Sequence, residues 1–573
     1  MKQQPHASYI AWRFYLLIGL IFVIVLGLIL RMLDLSVLKR HFLQSQGNAR
    51  VLRTVMTPAF RGMITDRNGY PLAISTSVFS IWINPEEFAP TLEQIKTLGQ
   101  ILTIKPMDIR LLLKRYVNSH HQFVYLKRDM PPTIADQIKS LAIPGLYLQQ
   151  SFKRYYPEAE VAAHVVGFTN VDDRGQEGLE LAYNDWLTGK SGKTLVVKDR
   201  IGRTISNVQN VSAQQPGHDL ILSINRRIQY IAYRELMTGI KENVAESGSV
   251  IVVDVKTGEV LAMVNQPSFN PNKRMAGTSD AFRNRAVTDT FEPGSTIKAF
   301  SVASAFDSGK YKPTTLIDTY PGWMRVGHDV VRDEHNNGLL TITQILQLSS
   351  NVGVTKMILP LPPNQLWTML RNVGFGEVTG IGLPGERSGE LPRRERWSPF
   401  AIATLSFGYG MSVTALQLTQ AYMIFANHGV KIPLSILRIE RLPVGEQVIK
   451  AKVADQMLAV LESVVDQNSG KEAQSTGKAA QIPGYRVAGK TGTAKIVGVN
   501  GYEKHRYVSS FVGIAPVSHP RFIVAVVIRD PRGKNYYAAQ VTAPIFKRIM
   551  EGTLHALNVP PDERIDNGHR QVI

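Results

Sequence analysis

Seventeen consecutive residues, Phe14 to Leu30 (FYLLIGLIFVIVLGLIL), carry no charge. Crossing a bilayer takes about 20 mostly apolar residues, with a lower limit near 17, and Ile10–Trp12 and Met32–Leu33 lengthen the run. No small-x-small cleavage site precedes the charged stretch RMLDLSVLKR, so the segment reads as a retained single-pass anchor rather than a removed signal peptide. Lys2 and Arg13 precede it without an acid, whereas Arg31, Lys39 and Arg40 follow it beside Asp34. That bias is weak, but a twelve-residue tail free of acids places the N-terminus inside and sends everything after about residue 40 across the membrane.

No later run is long enough to span, and no fixed-period repeat is present. At 573 residues the remainder exceeds one ordinary domain of roughly 100–200 residues. Three regions are expected: a tail and anchor (1–40), a non-catalytic α+β pedestal (41–215) and a larger C-terminal domain (216–573). The pedestal mixes β-rich runs (VFSIWI, GLYLQQSFKRYYP) with the helical TLEQIKTLGQILT, and VSAQQPGHD (211–219) reads as a linker. Beyond it come LILSIN, an amphipathic helix from Arg226 to Val244, and GSVIVVDVKTGEVLAMVN, which is two apolar runs around a turn at Lys256. SSFVGIAP and RFIVAVVIRD read as strands and Val541–Leu557 as a closing helix. This order predicts an α+β fold in which an antiparallel sheet is packed by helices.

Composition removes several chemistries. With no cysteine there is no disulfide, thiolate metal site or cysteine nucleophile. Lys+Arg 65 against Asp+Glu 46 leaves 65 − 46 = +19, yet no basic stripe interleaved with aromatics occurs, so no nucleic-acid partner is expected.

Candidate chemistry lies in EPGSTIKAF (292–300). Pro293-Gly294 closes a loop and the following apolar spacing is helical, so Ser295 falls at a helix N-terminus with Lys298 on the same face. A simple N-cap explains such a serine equally well. The functional alternative is a nucleophile: the helix N-terminus stabilises developing negative charge, and a buried lysine loses proton affinity and accepts the serine proton. Ser36/Lys39 and Ser475/Lys478 share the spacing, but one pair lies beside the anchor and the other in Gly-rich loop sequence. Ser-x-Asn recurs at Ser223, Ser268 and Ser349, and Lys-Thr-Gly at Lys256 and Lys490. Strand, loop and turn contexts account for Ser223, Ser268 and Lys256. What remains, in order, is Ser295-x-x-Lys298, Ser349-Ser350-Asn351 and Lys490-Thr491-Gly492-Thr493.

This trio resembles that of penicillin-binding proteins and class A β-lactamases. RNRAVTDTFEPGSTIK, FGYGMSVTALQLTQAY, SFVGIAP and YYAAQVTAPIF are similar to the penicillin-binding transpeptidase domain. RGMITDRNGYPLA, RYYPEAEVAAHVVGFTN and GQEGLELAYNDWLTG look like the class B pedestal. Within class B, the short tail, the length and the ending APIFKRIMEGTLHALNVPPDERID resemble the penicillin-binding protein 3 group of FtsI-type division transpeptidases; the elongation-specific penicillin-binding protein 2 group is the near alternative. Ala299 and Ala538-Ala539 depart from the expected proline and Gly-Gly pair.

The resemblance implies a serine D,D-transpeptidase that acts on peptidoglycan stem peptides ending in D-Ala-D-Ala, is acylated by β-lactams, and uses no metal or cofactor. Ser295 is the implied nucleophile and Lys298 its base; Ser349 relays a proton, and Asn351 binds the donor amide. Backbone N–H groups of Ser295 and Thr493 form the oxyanion hole. Lys490 supplies positive potential that keeps Lys298 neutral, and Thr491 and Thr493, flanking Gly492, bind the terminal carboxylate. The implied partners are an FtsW-type glycan polymerase and other division proteins, and the implied location is the bacterial inner membrane with the bulk of the chain in the periplasm. A β-lactamase shares the trio but needs neither the anchor nor a pedestal, a bifunctional enzyme needs a glycosyltransferase module that no signature before Ser295 suggests, and a β-lactam sensor keeps the same serine and lysine.

Overall fold

The computed structural model describes residues 8–116, 121, 123–198, 204–273, 279–393, 395–466, 475–498, 501–566 and 569–572. The tail residues 1–7, Lys2 among them, lie outside the described residues. An anchor helix spans Ser8–Leu33 and is apolar all round, with Phe14, Leu20, Phe22 and Val23 each more than half exposed. A helix without a polar face has no side to turn toward water. Among the described residues it is the one helix long and apolar enough to cross a membrane.

The chain packs as two compact units that interleave along the sequence. The first comprises Met1–Phe60, Ser77–Phe152 and Gly189–Pro216, and the second Arg61–Thr76, Lys153–Thr188 and Gly217–Ile573. Packing thus groups 61–76 and 153–188 with the C-terminal region, where the sequence suggested one boundary near 215. A buried ion cluster ties the two segments to each other: Glu180 accepts from Arg61 Nε and Arg154 Nε, both at 2.6 Å, with all three side chains excluded from water, while Leu220 N donating to Met63 O at 2.8 Å and Tyr156 N donating to Asn272 Oδ1 at 2.9 Å tie them to the C-terminal region. Charges buried this way hold only as a set.

In the first unit, strands Leu52–Thr57, Gly192–Lys198 and Thr204–Ser212 form an antiparallel sheet. The strand therefore runs into the first two residues of the predicted linker. A separate small core gathers Ile81, Ile83, Leu98, Leu102, Ile109 and Ile138. Its helix Leu92–Leu102 begins with a capping box between Thr91 and Gln94, which satisfies two otherwise orphaned N–H groups.

The second unit is built on a five-stranded antiparallel sheet. Its strands are β1 (Ala245–Asp254), β2 (Val260–Gln266), β3 (Ala488–Gly498), β4 (Gly501–Ala515) and β5 (Phe522–Pro531), in spatial order β2-β1-β5-β4-β3. Near-continuous apolar runs suit strands covered on both faces, and the alternation separates two cores. Val250 and Val252 of β1, with Val524, Val526 and Ile528 of β5, pack under helices α1 (Arg226–Glu242) and α6 (Ala538–Ala556). Ile251, Val253, Ile523, Ala525 and Val527 face the opposite way. There they join helices α2 (Lys298–Asp307), α3 (Asn351–Ile358), α4 (Ala415–Ala426) and α5 (Ala451–Val465). The strand β3 is left at the sheet edge beside the start of α2.

Candidate active site

Gly294 opens a tight turn, Gly294–Ile297, that runs directly into α2. Its φ of +55° is reached by glycine without strain. Gly408 lies against it: Gly294 N donates to Gly408 O at 3.1 Å, and a Cβ on Gly408 would stand 2.2 Å from Gly294 O. Ser295 is the second residue of this turn, and its side chain caps neither the turn nor α2. The N-cap explanation therefore fails. Ser295 Oγ makes no hydrogen bond among the described residues, whereas the look-alike serines are tied to backbone carbonyls. Ser36 donates to Met32, Ser223 to Val260, Ser268 to Glu160 and Ser475 to Val464.

Lys298 is fully buried. Its Nζ donates to both the backbone carbonyl and, at 3.1 Å, the Oγ of Ser349. The i, i+3 spacing suggested contact with Ser295 itself; instead the amine is held at Ser349. That residue sits between two helices with φ +57°, a conformation a non-glycine residue keeps only where its surroundings enforce it. Here it presents two oxygens to one amine. Burial pushes Lys298 down to about 7, against the opposing pull of Asp333 and Glu334.

Asp333 is the residue that the motifs did not point to. Its carboxylate takes the Ser350 hydroxyl at 2.5 Å, Asn351 N at 2.5 Å and Val352 N at 2.9 Å. Ser350 Oγ in turn accepts from Gly353 N at 2.8 Å. A carboxylate at a helix N-terminus is favoured by both the orphan N–H groups and the helix dipole. It locks the start of α3, and with it Ser349 and Asn351, whose Nδ2 donates to Arg332 O at 2.9 Å. Asp333 follows the short strand Asp329–Arg332 and lies outside all three motifs, so no local pattern singled it out.

The third element lies on the edge strand β3. Lys490 is fully buried, and its Nζ lies 3.2 Å from Thr491 Oγ1, 3.3 Å from Thr491 O and 3.5 Å from Thr476 Oγ1. Burial and then the charge of Lys298 hold it well below the ordinary lysine range. Charge–charge coupling between the two amines is mutual, and burial is the leading cause of the lowered proton affinity at each. Thr493 Oγ1 accepts from Ala538 N, the first residue of α6, at 3.1 Å. Gly492 permits the approach of strand to nucleophile turn. A Cβ there would stand 2.6 Å from Ser510 Oγ, 2.8 Å from Pro293 O and 2.8 Å from Thr296 Cγ2. The rim includes Glu292, whose Oε1 accepts from Gly410 N at 2.8 Å and Tyr502 OH at 3.2 Å.

A serine turn, a buried amine and a Lys-Thr-Gly edge strand converge in one cleft, and the family comparison agrees. Residues 248–551 match the penicillin binding protein transpeptidase domain, and residues 56–222 the penicillin-binding protein dimerisation domain. The chain belongs to the penicillin-binding protein transpeptidase family. It is 42% identical over 566 residues to the peptidoglycan D,D-transpeptidase FtsI of Escherichia coli K12, covering 98% of this chain and 94% of that one. It is 40% identical to the probable peptidoglycan D,D-transpeptidase PbpC of Pseudomonas aeruginosa, covering 97% of each. Among solved structures it is similar to penicillin binding protein 3 of Mycobacterium tuberculosis in complex with aztreonam. That match has a TM-score of 0.69 and 27% identity, over 88% of this chain and 98% of that one.

Proposed function

We propose that this chain is a membrane-anchored, serine-type peptidoglycan D,D-transpeptidase of septal wall synthesis. It would cross-link stem peptides ending in D-Ala-D-Ala and be acylated by β-lactams. The observation that carries the reading is the Ser295 hydroxyl, free of hydrogen bonds among the described residues, at the head of a buried helix, between Lys298 and the edge strand β3. In this mechanism Ser295 attacks the penultimate D-Ala carbonyl as neutral Lys298 takes its proton. The backbone N–H groups of Ser295 and Thr493 receive the oxyanion, where one lost donor typically costs about 10²–10³ in rate. Ser349, already bonded to Lys298, passes the proton to the departing D-Ala, and an acceptor amine then attacks the acyl-enzyme. Asn351 holds the donor amide, and Thr491, Gly492 and Thr493 line the terminal carboxylate beside Lys490.

The same reading takes 1–40 as tail and anchor, 41–215 as pedestal and 216–573 as transpeptidase domain, with the N-terminus inside and the bulk in the periplasm. Asp34 pairs with both Arg31 and Lys39, at 2.6 and 3.0 Å, which offsets the basic charge on the far side of the anchor. An FtsW-type polymerase and other division proteins are the expected partners. An intact-mass time course with a penicillin tests the chemistry. A one-to-one adduct lasting many minutes, absent in Ser295→Ala, is expected; rapid loss of the adduct with drug consumption identifies a β-lactamase, and no adduct on folded protein refutes the mechanism.

A further inference from the structure

One fully buried phenol is bonded to the nucleophile turn. Tyr422, on α4, has no solvent exposure, and its ring meets Phe300 of α2 edge-on, with 5.3 Å between centroids. Its hydroxyl donates to the backbone carbonyl of Thr296, the residue after Ser295, at 2.5 Å. Burial holds its proton affinity well above the ordinary phenol range, so the group stays a donor wherever the enzyme works. Phenylalanine would fill the same space without the cost of burying a hydroxyl, as Phe300 and Phe425 do beside it. The three motifs do not contain Tyr422, and the Ser295 mechanism gives it no part.

The carbonyl it takes lies at a change of helix type. Gly294–Ile297 is a 3₁₀ turn, closed at its end by Lys298 N donating to Ser295 O, whereas α2 begins at Lys298 with Ile297 as its N-cap. The N-cap carbonyl accepts the first i→i+4 bond of a helix, and Thr296 O stands one residue earlier. That difference decides where Ser295 points. In a 3₁₀ turn residues three apart eclipse, whereas in an α-helix they stand about 60° apart. The 3₁₀ form therefore stacks Ser295 over Lys298. Were Thr296 O drawn into the α ladder by Phe300 N, the ladder would extend back by one residue and rotate the serine away from the amine. Tyr422 ties that carbonyl to α4 instead, while Thr296 Oγ1 donates to Pro293 O at 2.8 Å and closes the turn from its other side.

We propose that Tyr422 is a positioning residue for acylation: its hydroxyl holds the Thr296 carbonyl, and with it the 3₁₀ turn that sets Ser295 over Lys298. It acts through Thr296 and touches neither the substrate nor the reacting atoms. The assignment rests on Ser295 as the acylated residue. A misplacement of about 1 Å costs on the order of 10²-fold in rate, so loss of one of the turn's ties is expected to slow the chemical step about tenfold.

Stopped-flow acylation of the detergent-solubilised full chain by a fluorescent penicillin, over a range of drug concentrations, separates the dissociation constant of the first complex from the acylation rate constant. Tyr422→Phe should lower the rate constant about tenfold and leave the dissociation constant within about twofold of the parent, the signature of an interaction that serves the chemical step and not binding. 4-Aminophenylalanine at position 422 supplies an N–H donor and should bring the rate constant back to within about threefold. 4-Fluorophenylalanine there fills the place of the hydroxyl without donating and should slow acylation as Tyr422→Phe does, so the test stands if Tyr422→Phe fails to fold. Thr419→Val removes another buried hydroxyl of α4, one bonded to Ala415 O of its own helix; it should lower the unfolding midpoint and leave acylation unchanged. An unchanged rate constant without a donor at position 422, no gain from 4-aminophenylalanine, or equal slowing by Thr419→Val overturns the assignment of Tyr422 alone. A parent protein that forms no adduct overturns the Ser295 mechanism, and this assignment with it.

Discussion

The pH dependence of acylation tests the proposed base most directly. Lys298 is pushed down to about 7 from 10.5, so its amine is about nine-tenths charged at pH 6 and about nine-tenths neutral at pH 8. If the neutral amine takes the Ser295 proton, the second-order rate with a fluorescent penicillin rises roughly tenfold across that interval and then levels. An ordinary lysine would be about 0.3% neutral at pH 8, and the rate would still be climbing there. The structure also fixes the direction of a second shift. The charges of Asp333 and Glu334 raise Lys298, and Glu334, unlike Asp333, does not hold the start of α3. Glu334→Gln should therefore move the midpoint to lower pH, leaving the plateau rate unchanged. The same group leaves a mark on stability. Burial depresses the folded-state value, so between about pH 7 and 10.5 the unfolded chain binds more protons and stability rises with pH. Lys298→Met should flatten that slope. A rate profile flat from pH 6 to 8, or a midpoint moved to higher pH in Glu334→Gln, refutes the assignment of Lys298 as base.

Two further substitutions probe how the cleft is held. Gly492→Ala forces a methyl group against Pro293 O and Ser510 Oγ, an overpacking cost of about 1–3 kcal/mol. The displaced nucleophile turn should slow acylation by about 10²-fold, measured beside circular dichroism to confirm folding; a rate within threefold of the parent shows that the strand yields. Glu180→Gln removes the carboxylate shared by Arg61 and Arg154. Stranding two buried guanidinium groups should cost about 3–5 kcal/mol, seen as a lowered unfolding midpoint, and an unchanged midpoint contradicts the buried-cluster account.

Local pattern carried much of the molecule. The uncharged run Phe14–Leu30 specified a span because its length matches a hydrocarbon layer, and the runs in GSVIVVDV and RFIVAVVIRD specified covered strands. The trio marked Ser295, Lys298, Ser349 and Lys490 because their order, unlike any single motif, is hard to meet by accident. Tertiary structure decided the rest. That Ser295 Oγ makes no hydrogen bond among the described residues while Ser223 and Ser268 are tied to the carbonyls of Val260 and Glu160 depends on what lies across the fold from each, which short-range spacing does not encode. Asp333 became visible only when its loop met the start of α3, eighteen residues from Asn351 in sequence. The lowered proton affinity of Lys298 and Lys490 followed from burial, a property of the packed fold. Segments 61–76 and 153–188 are held to each other by Glu180 and its two arginines and reach the catalytic unit through contacts such as Leu220 N to Met63 O and Tyr156 N to Asn272 Oδ1, all between residues far apart in sequence. A sequence determines which groups it can offer; which of them lose water and which find partners is settled only when distant segments pack.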